Sequence, residues 1–110
     1  MPNAFAMSDL TQVYAQRALG ARVRGGRIVI EKTVQGNVTI LHAHRSHWNG
    51  GDVKTPIAQL RTRGQKLQLY WLRANGRWVA YQDDTQRPFL GSLQACLREI
   101  HRDPLGCFWG

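Results

Sequence analysis

Asn75-Gly76 separates two aromatic-rich runs, Lys66–Arg73 and Arg77–Gln82, and this pairing constrains the fold more than any other feature of the chain. Asn-Gly suits the positive backbone angles of a two-residue hairpin loop. The runs are therefore expected to fold back on each other as antiparallel strands. With Asn75 and Gly76 as the loop, Leu72 opposes Val79 and Tyr70 opposes Tyr81. Trp71 then opposes Ala80, and Arg73 opposes Trp78, on the reverse face. Cross-strand pairs of this kind stabilise a sheet by about 0.2–1 kcal/mol each. Gly64-Gln65 turns an earlier run, Ile57–Arg63, onto the first of these strands. Pro56 stands at the opening of that run, where a missing N–H donor is tolerated.

Upstream, Arg27–Val34 and Val38–His44 are rich in β-branched residues and flank the turn residues Gln35-Gly36-Asn37. A Gly36-Asn37 loop sets Ile30 against Ala43 and Glu31 against His42. Ile28, Ile30, Val34, Leu41 and Ala43 then form the core side. Val29, Glu31, Ile40, His42 and His44 form the exposed side. Residues 47–53, which include Trp48, read as a loop. Residues 8–19 read as a helix capped by Ser8, with Asp9 in its first turn and Gly20 as its stop. Leu10, Val13, Tyr14, Arg17 and Ala18 share one face of it. Asp83–Gly91 shows no regular pattern and reads as a linker. Ser92 is an N-cap for a second helix carrying Leu93, Cys96, Leu97 and Ile100, which must stop before Pro104. Asp103-Pro104 starts a turn, Gly106 supplies an unusual backbone angle, and Cys107-Phe108-Trp109 are expected to dock rather than extend into water. The expected fold is α+β: an N-terminal helix, a twisted antiparallel sheet of four or five strands, a C-terminal helix and a docked aromatic tail. One compact domain over 1–110 is expected.

Hydrophobic residues make up 43 % of the 110, enough for a core. No run approaches the roughly 18 consecutive apolar residues of a membrane span, so no membrane partner is expected. No secretory leader is expected either. Two cysteines, Cys96 and Cys107, are too few for a disulfide framework. They read as free thiols of a cytoplasmic protein, with a Cys96–Cys107 bridge left open. The formal charge is +8, and its distribution is uneven. Residues 1–80 carry twelve basic and three acidic side chains, against three and four in residues 81–110. Twelve of the fifteen cations are arginines, which suit bidentate phosphate or carboxylate contacts. The strand-rich part therefore favours an anionic partner, either DNA or RNA or an acidic protein, with surface charge that serves only solubility as the competing reading.

Arg61, Arg63, Lys66, Arg73 and Arg77 gather around two hairpin ends together with Trp78, and Arg22, Arg24, Arg27 and Arg45 extend the same field. Arginines position a phosphate backbone and an exposed aromatic stacks on bases. Packing within the sheet is the competing role for Trp71 and Trp78. No zinc-finger spacing, helix-turn-helix or RNA-binding sheet signature is present. His42, His44 and His47 form H-x-H-x-x-H, with the first two about 6–7 Å apart on one side of a strand. With Glu31 they make a weak metal-ligand set, against the simpler reading of exposed polar histidines beside a basic surface. Ser46 and Ser92 lack a nucleophile's context, and no glycine-rich phosphate loop follows a strand. Cys96, His101 and Cys107 read as packing around a core helix rather than as Cys-His chemistry. The favoured reading is a non-enzymatic protein that binds nucleic acid or another anionic partner, with no cofactor. A protein-interaction module without nucleic-acid contact and a metal-binding or metal-dependent protein are the alternatives.

Tyr70-Trp71, Arg73-Ala74, Trp78 and Tyr81, with the second helix and the ending from Asp103-Pro104 to Gly110, resemble a family of small bacterial proteins, domain of unknown function 3024. The N-terminal helix and Thr55-Pro56-Ile57-Ala58 share the resemblance, which touches most of the chain. The resemblance implies a shared compact fold and a bacterial or phage-like setting. It implies no activity. His42-Ala43-His44 stands where the family is expected to carry a glutamate-containing strand, so a site dependent on that acid is not expected here.

Overall fold

The computed structural model describes residues 9–46 and 48–109. The expected Ser8 cap and His47 lie outside the described residues. In chain order the elements are α1 (Asp9–Leu19), a 3-10 turn (Gly20–Arg22), β1 (Gly26–Lys32), β2 (Val38–Arg45), β3 (Asp52–Arg63), β4 (Lys66–Leu72), β5 (Trp78–Ala80), β6 (Leu90–Gly91) and α2 (Leu93–Arg102). The strands form one antiparallel sheet in the order β1-β2-β3-β4-β5, and β6 pairs with β4 beyond β5. This is the expected α+β architecture.

Turn geometry sets the register, and it departs from the two-residue loops expected at two hairpins. At β1–β2 the Thr33 N–H donates to the Asn37 carbonyl at 2.7 Å, and the Gly36 N–H donates to Thr33 O at 2.9 Å. At β4–β5 the Arg73 N–H donates to Arg77 O at 2.9 Å, and the Gly76 N–H donates to Arg73 O at 2.8 Å. Both are three-residue loops with glycine at the positive-φ position, +85° at Gly36 and +82° at Gly76. A third copy of this turn lies in the segment expected to be a plain linker. There Asp83 N–H donates to Arg87 O at 3.2 Å, Gln86 N–H donates to Asp83 O at 2.9 Å, and Gln86 takes φ 61°. The Gly64-Gln65 loop is two residues long as expected, with Arg63 opposite Lys66 and Gly64 at φ 59°.

A register step of odd size exchanges the two faces of a strand. Ile30 therefore opposes Ile40 rather than Ala43, and Glu31 opposes Thr39 rather than His42. Tyr70 opposes Ala80, Trp71 opposes Val79, and Leu72 opposes Trp78. Ile28, Val38, Ile40, Ala58, Leu60, Leu67 and Leu69 line the core with Tyr81. Leu41 and Ala43 are buried on the opposite face, and Val34 is fully exposed at its turn. Against expectation, Ile40 belongs to the core. A bulge at Ile57 separates the Ile40–Ala58 pair from the Leu41–Pro56 pair and lets Ile57 and Ala58 both reach the core.

Both helices cover the same face. α2 contributes Cys96, Leu97 and Ile100, and Ser92 caps it by accepting from the Ala95 N–H at 3.1 Å. α1 contributes Ala15 and Leu19, with Thr11 also buried. Most of the expected α1 face is turned outward: Leu10 is 61 % exposed, and Val13 and Tyr14 are exposed as well, while Ala18 packs on the core as expected. Gln12 and Gln16 dictate this orientation. The Gln12 amide donates to Ile28 O at 2.6 Å and accepts from the Ile30 N–H at 3.0 Å, while Gln16 accepts from the Ile28 N–H at 2.8 Å. Two polar side chains thus satisfy three outer backbone groups of the edge strand β1. The tail docks as expected. Cys107, Phe108 and Trp109 pack on the core, Phe108 meets the Tyr81 ring at 5.0 Å, and the Trp109 indole donates to Ile100 O at 2.8 Å. Cys96 and Cys107 are free thiols.

Candidate nucleic-acid interface

The sheet face away from the helices carries an ordered polar network. By register, Thr39, Gln59, Arg61, Arg63, Lys66, Gln68, Tyr70, Leu72 and Trp78 share this face. Gln59 is only 6 % exposed, Tyr70 7 % and Gln68 9 %, although no helix lies over them. Their neighbours on the face cover them. The Arg61 guanidinium lies 3.9 Å from the Tyr70 ring centroid, and its Nε donates to Gln59 Oε1 at 2.8 Å. Gln59 in turn donates from Nε2 to Thr39 Oγ1 at 3.1 Å. Arg63 donates from Nε to Gln68 Oε1 at 2.8 Å and from a terminal nitrogen to the Tyr70 hydroxyl at 3.2 Å. Tyr70 OH donates to Gln68 Oε1 at 3.2 Å.

Every partner of these two arginines among the described residues is neutral. Among the described residues the one ion pair is Lys54–Glu31 at 2.6 Å, which spans β2. Arg61 and Arg63 therefore keep their full charge while their side chains are already oriented. Arginine entropy is lost before a ligand arrives, which strengthens each contact made afterwards. Lys66, in register with Arg63, adds a third cation. Trp78 lies on this face across from Leu72, half-buried and not part of the core cluster. The expected placement of Trp78 opposite Arg73, on the face of Trp71, is thus corrected. Trp71 has the packing role, against the core.

The remaining expected cations are elsewhere. β4 runs about 20 Å from Lys66 to Leu72, so Arg73 and Arg77 close the hairpin at its far end from Arg63 and Lys66. The Arg73 guanidinium sits 5.8 Å from the Trp71 ring, not on the network. Arg45 ends β2 in register with Asp52. The histidine set is also dispersed. The His42 and His44 rings lie 5.0 Å apart, but Ile28 rather than Glu31 opposes His42, and Glu31 is bound by Lys54. Among the described residues no group of three or more His, Cys, Asp or Glu is placed to hold a metal ion. No helix there is long and apolar enough to cross a membrane. Sequence reading missed the glutamines: Gln59 and Gln68 sit two strand positions from Arg61 and Tyr70, and this i, i+2 spacing is the signal that could have shown a common face.

A family model described as a domain of unknown function, DUF3024, matches residues 3–110. No curated protein and no solved structure matches the chain.

Proposed function

The chain belongs to the DUF3024 family, and on the chemistry of its own surface we propose that it binds single-stranded nucleic acid on the helix-free face of the sheet. The observation that carries this reading is the pair Arg61 and Arg63, oriented by Gln59, Gln68 and Tyr70 and opposed by no carboxylate among the described residues. Fixed guanidiniums with free N–H groups match phosphate oxygens in charge and geometry. The surface is a sheet that carries the half-buried Trp78 on the same face as the arginines, further along the line of β4, which suits splayed bases better than the groove of a duplex.

Fluorescence anisotropy with labelled single- and double-stranded oligonucleotides tests the reading. Engaging three phosphates through Arg61, Arg63 and Lys66 should weaken single-strand affinity about 20-fold between roughly 50 and 200 mM salt. The double variant Arg61→Ala/Arg63→Ala should weaken binding, flatten that salt dependence and keep the native circular dichroism. No binding at the lower salt, or binding that ignores salt, overturns the proposal. An acidic protein partner would use the same arginines and would give that negative result with oligonucleotides.

A further inference from the structure

At the opposite end of the sheet, where β1 opens and β2 closes, lies a second cationic site. A cavity of about 460 Å³ is lined by Arg24, His42, His44, Arg45 and Ser46 around the backbone of Gly25. Among the described residues no carboxylate lines it. Asp52 lies on a neighbouring cavity of about 280 Å³ that shares His44 and Arg45, and forms no ion pair with Arg45. The residues facing His42 from the adjacent strands are Ile28 and Thr55, both uncharged.

Local structure holds the two imidazoles in place. The His42 ring packs so closely on Gly26 that a Cβ there would collide with its Nε2. That nitrogen is buried and has no hydrogen-bond partner among the described residues. The His44 ring lies 5.0 Å away, and its Nδ1 sits 3.3 Å from Arg45 O. Burial, and then the neighbouring His44, hold His42 below the ordinary imidazole value. An anion seated beside both rings would reverse the second of these effects. The loop beyond adds a different chemistry. Trp48 is 96 % exposed, and its backbone N–H donates to the hydroxyl of the lining residue Ser46 at 3.2 Å. A large exposed aromatic two residues along the chain from a pocket-lining residue offers a stacking surface rather than core packing.

We propose that this pocket binds a nucleoside monophosphate group, with the phosphate among Arg24, Arg45 and the two histidines and the base on Trp48. The ligand is either a free mononucleotide or the phosphorylated end of a strand. The site stands independently of the sheet face, since it shares no residue with the Arg61–Arg63 network.

The His42 and His44 ring signals in NMR spectra of the whole protein provide the readout. The probes are inorganic phosphate, AMP and a dinucleotide with a 5′-phosphate, each taken to about 20 mM, which spans millimolar affinities. All three should shift both rings, and AMP should bind roughly tenfold more tightly than inorganic phosphate through base stacking. Trp48→Ala should bring AMP down to the level of inorganic phosphate. Arg24→Ala/Arg45→Ala changes two exposed side chains and should weaken all three probes at least about tenfold, the loss expected when charge-assisted contacts are removed. Arg61→Ala/Arg63→Ala should change nothing here, which separates this site from the sheet face. Equal affinity for AMP and the dinucleotide assigns the site to the phosphate group shared by both sources, and a preference for either probe names the source. The proposal fails if the rings do not move, if the Arg24/Arg45 variant binds as well as the parent, or if AMP binds no better than inorganic phosphate.

Discussion

Gln86 carries a backbone angle that its two counterparts assign to glycine. Gly36, Gly76 and Gln86 hold the same position in three copies of one turn, at φ 85°, 82° and 61°. A side chain with a Cβ is strained there by roughly 1 kcal/mol. Gln86→Gly should therefore raise stability by up to about 1 kcal/mol, part of the relief being offset by the greater freedom of glycine in the unfolded chain. Urea denaturation at neutral pH measures it, and a lower midpoint would show that Gln86 makes a compensating contact. Asp103 is a second residue in the left-handed region, at φ 45°, and there the side chain explains the strain. Its two carboxylate oxygens accept from the Phe108 and Trp109 N–H groups at 3.1 and 2.9 Å. Hydrogen bonds to a charged acceptor contribute about 1.5–3 kcal/mol. Asp103→Ala should cost about 2–3 kcal/mol, and Asp103→Asn, which keeps one oxygen, should cost less. Asp103-Pro104 was legible as a turn, but its role as the clamp of the tail depends on how the chain curls back, which local sequence does not encode.

At the scale of elements, α1 makes the sharpest case. Its Leu10, Val13 and Tyr14 describe an apolar stripe, yet the buried side is Thr11, Ala15 and Leu19. Leu19→Ala should cost about 2–5 kcal/mol, whereas Leu10→Ser and Val13→Ser should change stability by no more than about 0.5 kcal/mol. Thermal unfolding of the three variants distinguishes the faces, and a large loss at Leu10 would restore the face read from periodicity. Periodicity scores glutamine as solvent-facing, so it could not anticipate two glutamines that bond to a strand backbone. The hairpins teach a related point. Asn75-Gly76 and Gly36-Asn37 announced turns correctly, but a two-residue and a three-residue loop both place glycine at positive φ. That difference carried Trp78 to the face of Arg61 and separated Glu31 from His42. Arg61, Arg63 and Lys66 came out together because the Gly64-Gln65 loop has a single length compatible with its flanking pattern. The α2 helix and the docking of Phe108 and Trp109 were plain in the sequence, because their apolar spacing and their stop signals agree.

For the molecule as a whole, alkaline pH should act on one region, the packing of α2 and the tail against the sheet. Burial pushes the Cys96 thiol from 9.0 up to about 12, with Glu99 adding to the shift. Burial also raises Cys107, and raises Tyr81, whose hydroxyl donates to Glu99 at 2.7 Å. Each group stays protonated in the folded state after it has ionised in the unfolded chain. Stability from this source is thus intact below pH 9 and is lost as pH rises from 9 through about 12. Urea midpoints at pH 8, 9.5 and 10.5 should fall in that order, and Cys96→Val should shallow the decline. The bonds from Gln12 and Gln16 to β1 have a consequence for assembly. An unpaired strand edge is a template on which another chain can continue the sheet. Here three of the groups that would recruit it, the N–H and carbonyl of Ile28 and the N–H of Ile30, are already occupied by amides that end in a side chain and propagate nothing. At the other margin the outer side of β4 is shared between two very short strands, of three and two residues. The molecule thereby sets its own width, and the protein can be concentrated without its sheets growing into one another.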